Sequence, residues 1–329
     1  MQARFHTFLH IFGWSLSGVT FLLLFAGGMV TSTHSGLAVP DWPTTFGQNM
    51  FAFPPSLMKG GIFYEHGHRL IASLVGLLTI ALCAFIWIWD SRRWLKTVSL
   101  LALILVIAQG VLGGLTVRYR LPMPVSTGHA CMAQLFFAAT LLMAFATSRA
   151  WLAASSRNFF TSLSGQWLTA LFCAGAFLQI VIGAMMRHSY AGLAIPTFPL
   201  AFGEILPPFW NFGITLHFLH SRLGASALLI AGGMLIAKTL SSPRNPRGVK
   251  ALAAGLGAAL LLQCGLGMLT IWSGKGAVPA TFHLSGGALV WALGFLLLLA
   301  EYRFRLPASV PGETPARATS SVRLQGAAA

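Results

Sequence analysis

The stretch GGMVTSTHSGLAVPDWPTTFG (27–47) returns without a gap as GAMMRHSYAGLAIPTFPLAFG (183–203), 156 residues further along the chain. Two shorter segments recur in the same order, QGVLGGLTV (109–117) as QCGLGMLTI (263–271) and HRLIAS (68–73) as SRLGAS (221–226). Repetition of this kind is typical of a duplicated architecture. The repeat therefore divides the chain into two related halves.

The composition places both halves in a lipid bilayer. Of the 329 residues, 56% are hydrophobic and 8% are charged, and the mean hydropathy is +0.75. A helix needs about 20 apolar residues to cross the hydrocarbon layer of a membrane. Runs of that length lie near 11–30, 66–89, 95–117, 127–147, 165–186, 212–237, 249–271 and 279–299.

These runs predict an all-α integral membrane protein with eight transmembrane helices. Residues 1–150 hold the first four and 151–305 the last four, whereas 306–329, rich in Pro, Ala, Ser and Thr, are predicted to form a disordered cytoplasmic tail. Because each half has an even number of spans, both halves enter the membrane from the same side. The prediction is two four-helix bundles related by a pseudo-twofold axis along the membrane normal.

The net charge of +15 indicates membrane orientation rather than nucleic-acid binding, because the basic residues cluster in alternate loops. The odd-numbered loops carry few of them: Lys59, Arg118, Arg120, Arg187 and Lys275. The even-numbered loops and the C-terminal segment carry Arg92, Arg93, Lys96, Arg149, Arg157, Lys238, Arg244, Arg247, Lys250, Arg303 and Arg305. Since basic loops stay in the cytoplasm, both termini are predicted to be cytoplasmic, in the inner (cytoplasmic) membrane of the cell.

Four histidines stand at the starts of the even-numbered spans. His68 and His129 belong to the first half, and His220 and His283 to the second. A single histidine there is an ordinary interfacial residue, but four at repeated positions are expected to face the bundle interior. Two imidazoles offered from two helices are the axial ligands of a haem iron, and the spacing does not suit the three or four ligands of zinc. We therefore predict one haem site in each half.

Neighbouring residues leave alternatives open. His217 lies three residues before His220 on the same helix face and is an alternative ligand, whereas His66, about 200° round the helix from His68, is predicted to face a loop. Arg69 and Arg222 are predicted to pair with haem propionates, with snorkelling to the lipid head groups as the alternative.

Glu65 is one of only six acidic residues and lies on the same helix face as His68, three residues before it. The repeat HRLIAS/SRLGAS pairs Glu65 with Phe218, so the acid belongs to one half only. A catalytic carboxylate would be one-sided in this way. The alternative is an ion pair with Arg69 four residues later.

These motifs resemble the haem A synthase family, membrane enzymes that convert haem O to haem A for terminal oxidases. The resemblance covers about 1–305 and rests on GLAVPDWP, EHGHR, HFLHSR, MRHSYAGLAIPTFP and the paired histidines. It implies oxidation of a porphyrin methyl to a formyl group by two hydroxylations and loss of water. It also implies that His68 and His129 hold the substrate haem O and that His220 and His283 hold haem b, which puts the one-sided Glu65, the predicted catalytic residue, on the substrate side.

The chain departs from the family pattern at two points. Ser221 separates His220 from Arg222, and Val39 stands in a loop where many members have a cysteine pair. The expected partners are haem O, the lipid bilayer, haem O synthase and an electron donor of unknown identity, with a homo-oligomer left open. Two other functions stay open: a bis-histidine cytochrome b that passes electrons from quinol, and a transporter built from parallel repeats.

Overall fold

The computed structural model describes residues 2–153, 166–243 and 245–304, and within them the regular elements are helices apart from two isolated β-bridges. The helices are α1 (Gln2–Ser32), α2 (Gly61–Trp89), α3 (Arg93–Arg118), α4 (Met123–Ala146), α5 (Arg149–Ala153), α6 (Trp167–His188), α7 (Phe212–Phe218), α8 (Ala225–Ser241), α9 (Arg247–Trp272) and α10 (Ala277–Phe304). A π-helical turn at Leu219–Gly224 joins α7 to α8 without a break.

Eight helices among the described residues are long and apolar enough to cross a membrane. Each overlaps one of the apolar runs, with α7, the π turn and α8 together forming the sixth span, Phe212–Ser241. The prediction of an all-α, eight-span membrane protein is confirmed. The predicted tail, 306–329, lies outside the described residues, and the division into halves and the pseudo-twofold axis stay predictions.

The helices pack mainly within their own half. In the first half α1 packs on α2 and α4, and α3 packs on α2 and α4; in the second, α6 packs on α8 and α10, and α9 packs on α8 and α10. The two halves meet where α1 and α4 contact α6 and α10. A small buried cluster of Phe137, Leu141, Ala292 and Leu296 forms part of this junction.

The larger apolar cores lie toward the end of the bundle where both termini are. Leu9, Leu82 and Leu95 are fully or almost fully buried in the first half, and Phe172 and Leu256 in the second. Large apolar side chains also lie exposed on the outer faces of the helices, among them Leu77, Ile104, Leu171, Ile230 and Leu261. In water such a surface would be unfavourable, but in hydrocarbon it faces a matching solvent.

The two long outer loops, which we call loop 1 (33–60) and loop 2 (189–211), share one backbone path. The left-handed conformation recurs at matching positions, with φ of 56° at His34 and 59° at Tyr190, and 51° at Phe46 and 57° at Phe202. A β-bridge closes each turn, Thr45 to Gln48 in loop 1 and Ala201 to Glu204 in loop 2. The sequence repeat is therefore also a structural repeat in these loops.

Candidate functional site

Each of the four histidines packs against a glycine on a neighbouring helix. The pairs are His68 with Gly27, His129 with Gly113, His220 with Gly183 and His283 with Gly267. A Cβ atom added to Gly183 would lie 2.6 Å from the ring Cε1, which excludes a larger residue without a shift, and at the other three glycines it would lie 3.1 to 3.2 Å away, a tight contact. The glycines therefore let each imidazole lie close against the neighbouring helix.

The ring Nδ1 atoms of these histidines face the interior of the protein. That of His220 lies 3.2 Å from the Gln179 carbonyl, four residues before Gly183. Those of His68, His129 and His283 are buried and make no hydrogen bond within the described residues. Nε2 is therefore the nitrogen that each ring offers to a ligand.

The two histidines of the second half, His220 and His283, lie ring to ring. The rings of His220 and His283 have centroids 5.9 Å apart and planes at 86°. Metal–imidazole bonds of about 2 Å would place two imidazoles on opposite sides of one metal with centroids roughly 6 Å apart. Across residues 2–153, 166–243 and 245–304, no group of three or more His, Cys, Asp or Glu side chains could hold a metal ion. The His220–His283 pair therefore fits an iron that brings its own in-plane ligands, as haem does.

Glutamine side chains fasten three of these histidines to the neighbouring helix. Nε2 of Gln109 donates to the backbone carbonyl of His129 at 3.0 Å, and Nε2 of Gln263 to that of His283 at 2.9 Å. Gln179 makes the same contact with His220. Sequence analysis missed these residues, although the repeated QG and QC at 109 and 263 were a visible signal.

Glu65 and Arg69 fasten loop 1 to α2. Glu65, only 3% exposed, accepts a hydrogen bond from the Val39 N–H at 2.7 Å and pairs with Arg69 at 2.6 Å. Arg69 also donates to the carbonyls of Val39, Asp41 and Thr44 at 2.8 to 3.1 Å. The ion pair considered from the sequence is therefore present, and it holds the loop over the His68 end of the helix.

Loop 2 is held by the same arrangement with one substitution. Arg222 donates to the carbonyls of Thr197 and Leu200, the counterparts of Asp41 and Thr44. The Ile195 N–H, the counterpart of that of Val39, donates to Nδ1 of His217 at 3.1 Å. His217 therefore takes the place of Glu65 in the second half.

The prediction that Phe218 matches Glu65 is wrong. One extra residue, Ser221, lies between His220 and Arg222, and the π-helical turn accommodates it inside a continuous helix. Residues before the extra residue match the first half at a shift of 152 and residues after it at 153, so both His220 and Arg222 keep the contacts of His68 and Arg69. An acid is still present at this position in the first half only, but the residue that matches Glu65 in the second half is His217.

This arrangement also separates the histidines that the sequence left as alternatives. His217 is 1% exposed and its Nδ1 is used by loop 2, while His220 packs on Gly183 and faces His283. His66 contacts Thr45 of loop 1, with 3.1 Å between Nδ1 and Oγ1. The prediction that His66 faces a loop is confirmed.

The two predicted propionate partners contact the loops to different extents: Arg222 gives only its Nη2 to loop carbonyls, and its buried Nε makes no hydrogen bond within the described residues. Arg69 commits four of its five N–H groups to Glu65 and to loop carbonyls, and Arg222 also lies 5.2 Å from the Phe198 ring centroid. A further arginine, Arg187, was not singled out from the sequence. It lies at the junction of the halves, where its Nη2 donates to Ser32 Oγ at 2.6 Å and to the Gly28 carbonyl at 3.2 Å.

Arg187 has no carboxylate within ion-pair distance in the part of the chain that the structure describes, and it interacts electrostatically with His283. Because a buried cation without a counter-charge is costly, Arg187 is suited to an anionic ligand group beside the second histidine pair.

With this geometry in place, the chain can be compared with known proteins. Residues 10–295 match the profile of the COX15-CtaA family, described as cytochrome oxidase assembly proteins. The chain belongs to this family. The resemblance drawn from the loop and histidine motifs is therefore confirmed.

Several relatives carry the name Heme A synthase. That of Alkalihalophilus pseudofirmus is 30% identical over 251 residues, which cover 74% of this chain and 80% of the relative. That of Geobacillus kaustophilus is 28% identical over 313 residues, covering 89% and 93%. That of Beijerinckia indica is 29% identical over 306 residues, covering 78% and 83%. The similarity extends across both histidine pairs in the longer matches.

Proposed function

We propose that the protein is a haem A synthase, which oxidises one methyl group of haem O to a formyl group for the assembly of terminal oxidases. The observation that carries this proposal is a pair of similarly built histidine sites, of which only one has a carboxylate at its loop anchor. An electron carrier with two equivalent haems would need no such difference. The shared name of the relatives supports the same function.

The two sites then have different tasks. His68 and His129 hold the iron of the substrate haem O, and His220 and His283 hold a resident haem b, which supplies electron transfer when bound. The glycine behind each ring and the glutamine at three of the four set the positions of the imidazoles. The porphyrin carries the oxidation chemistry, and the protein places the methyl group.

Glu65 is the proposed catalytic group. The hydroxylations of CH3 to CH2OH and of CH2OH to CH(OH)2 each remove two electrons from the carbon and require an external oxidant, and loss of water from CH(OH)2 then gives CHO without further oxidation. In the last step a carboxylate can take the proton of one hydroxyl group while the other leaves as water, and it can stabilise positive charge nearby. Arg69 pairs with this carboxylate at 2.6 Å. The same contacts hold loop 1 in place, so the proposed proton acceptor is also the residue that anchors loop 1.

Arginines are the natural partners of the haem propionates, because the guanidinium group matches carboxylate geometry. We propose Arg187 for the resident haem b, since its buried charge has no acid among the described residues. Arg69 and Arg222 stay as proposed partners through the donors that the loops leave free. Haem O synthase and an electron donor are the proposed protein partners.

The proposed orientation puts both termini in the cytoplasm. Arg92 and Arg303, at the inner ends of α3 and α10, belong to the basic set, whereas the four histidines lie toward the opposite, loop-bearing end. Basic segments favour the cytoplasmic side. Both haem sites would therefore lie near the outer face of the membrane.

The test is to express the protein in a host that makes haem O but has no haem A synthase, and to analyse the extracted haems. The proposal predicts haem A, and none with His68→Ala or an empty vector. Bound b-type haem with unchanged haem O would instead support the cytochrome b function. A purified, folded protein with no haem would support the transporter.

A further inference from the structure

The glutamine contacts distinguish His68 from the other three histidines. At His129, His220 and His283, a glutamine four residues before the packing glycine donates to the backbone carbonyl of the histidine. The His68 ring packs on Gly27 in the same way, and the residue four before Gly27 is Leu23. Positions 23, 109, 179 and 263 are thus equivalent, but the leucine at position 23 has no hydrogen-bond donor in its side chain.

The residue four positions after each histidine also differs between the two halves. Gly224, four residues after His220, leaves room for the Gln179 amide, because a Cβ at Gly224 would overlap its Oε1. Gly287, four after His283, lies beside Gln263 in the same way, with 3.2 Å from its added Cβ to Nε2. The residue four after His68 is Ala72. The second half is therefore built to fasten both of its histidines, and the first half fastens one.

We infer that the missing glutamine makes His68 the releasable ligand, through which haem enters and leaves the first site. This inference rests on the proposed function in one respect, namely that the first half holds the substrate. A substrate must exchange at every turnover, whereas a resident cofactor must stay. A histidine whose helix is not tied to its neighbour can withdraw from the iron at lower cost, because no side-chain hydrogen bond has to break.

Leu23 and Gln179 are positioning residues in this account, since neither offers an atom to the iron. One hydrogen bond changes an equilibrium by about 2- to 10-fold. Haem should therefore leave the first site faster than the second. Exchanging the two side chains should move the two rates in opposite directions.

The experiment measures the transfer of haem from the purified, detergent-solubilised protein to excess apomyoglobin, followed by absorbance. The protein is loaded with protohaem at both sites. The wild type should release haem in two phases, and His68→Ala should remove the fast one. Leu23→Gln should slow the fast phase by about 2- to 10-fold and leave the slow phase unchanged. Leu23→Met is the matched control, of similar size but without a donor, and should behave as wild type.

Two further variants keep the inference falsifiable. Leu23→Gln combined with Ala72→Gly copies the residues around Gln179. Leu23→Gln alone copies the site of Gln109, which makes its hydrogen bond although Ala133, four residues after His129, is an alanine like Ala72. Gln179→Met should accelerate the slow phase. If both Leu23→Gln variants fold and release haem at the wild-type rate, or if Gln179→Met leaves the slow phase unchanged, the inference is overturned.

Transfer of protohaem requires no oxidation, so this test fails independently of the proposed function. A single release phase from a wild-type protein that makes haem A would overturn the inference and leave the function intact. Two phases that respond to the variants, from a protein that makes no haem A, would overturn the function and leave the positioning role of the glutamines intact.

Discussion

Glu65 and His217 occupy the same structural position in the two halves of the protein. Each accepts the hydrogen bond of one loop N–H, that of Val39 for Glu65 and that of Ile195 for His217. The two loops therefore keep the same path while the chemistry of the anchor differs. A carboxylate paired with an arginine can accept a proton beside the first histidine pair, and the second half has no acid at that point.

The four paired histidines should separate into two classes. His220→Ala and His283→Ala should remove the resident haem b, because each takes away one of two axial ligands, while His68→Ala and His129→Ala should leave most of that haem and abolish haem A formation. Absorption spectra of the purified variants, together with analysis of the extracted haems, measure both effects. A His217→Ala protein that loses haem b while His220→Ala keeps it would contradict the assignment of the second pair.

Deletion of Ser221 should be tolerated. The π-helical turn at Leu219–Gly224 accommodates one extra residue, so its removal should give the regular helix that the first half already has, with His220 next to Arg222. Haem b content and thermal stability in detergent should stay close to wild type. Deletion of Ile230 in the regular part of α8 is the control, and it should abolish folding because it turns one end of the helix by about 100° relative to the other.

Loop 1 should lose in acid the contacts made by Asp41, a carboxylate that loop 2 lacks at the matching position. Partial burial alone would raise the pKa of Asp41, but hydrogen bonds from the Gly47 N–H, the Thr44 hydroxyl and the Phe46 N–H lower this pKa to about 2 from the ordinary value of 3.8. Because the pKa is lower in the folded loop, this carboxylate stabilises the loop above about pH 4, and that stabilisation is lost as the pH falls through about 2.

Pepsin cleavage between pH 4 and 2 measures this loss. Cuts in loop 1 should rise more steeply in the wild type than in Asp41→Thr as the pH falls. The variant copies loop 2, where the Thr197 hydroxyl accepts from the Phe202 N–H in place of the Asp41 carboxylate. An unchanged pH profile in Asp41→Thr would show that another group controls the loop.

Cysteine labelling should place loop 1 on the outer face of the membrane. Gln48 is exposed in loop 1, and Ser241 is exposed at the end of α8 that faces the opposite side. A membrane-impermeant maleimide added to intact spheroplasts should label Gln48→Cys and not Ser241→Cys. The reverse pattern would invert the proposed topology.

Much of this arrangement was predictable from the sequence. The eight spans followed from length and hydropathy, and the four histidines followed from their recurrence at the starts of alternate spans. The counterpart of Glu65 was missed because the ungapped match of HRLIAS to SRLGAS was extended back past Ser221, although the repeat of His68 as His220 requires a shift of 152. The π turn and the contact from Ile195 to His217 establish the register.

The positioning residues were hidden for a different reason. Gln179 lies within an apolar run like any tolerated polar residue, and Leu23 looks like an ordinary core leucine. Their equivalence appears only when the ring of each histidine is seen against the neighbouring helix. Arg187 was counted as a loop charge, although its side chain turns into the junction of the halves.

The central claim is that the acid at position 65 makes one of two similar haem sites catalytic. Glu65→His is the sharpest variant, because His217 already anchors the matching loop with a histidine, so the loop contact can survive while the carboxylate is lost. His217→Gln, which keeps an acceptor for the Ile195 N–H, is the matched control and should retain haem A formation.

The decisive measurement is the haem A content of membranes from a host that supplies haem O, determined for Glu65→His, Glu65→Gln and wild type at equal protein level. The account predicts normal haem b, bound haem O and a fall in haem A by about the 10²–10⁴-fold that a lost acid–base group costs. Wild-type haem A from folded Glu65→His and Glu65→Gln proteins would contradict it.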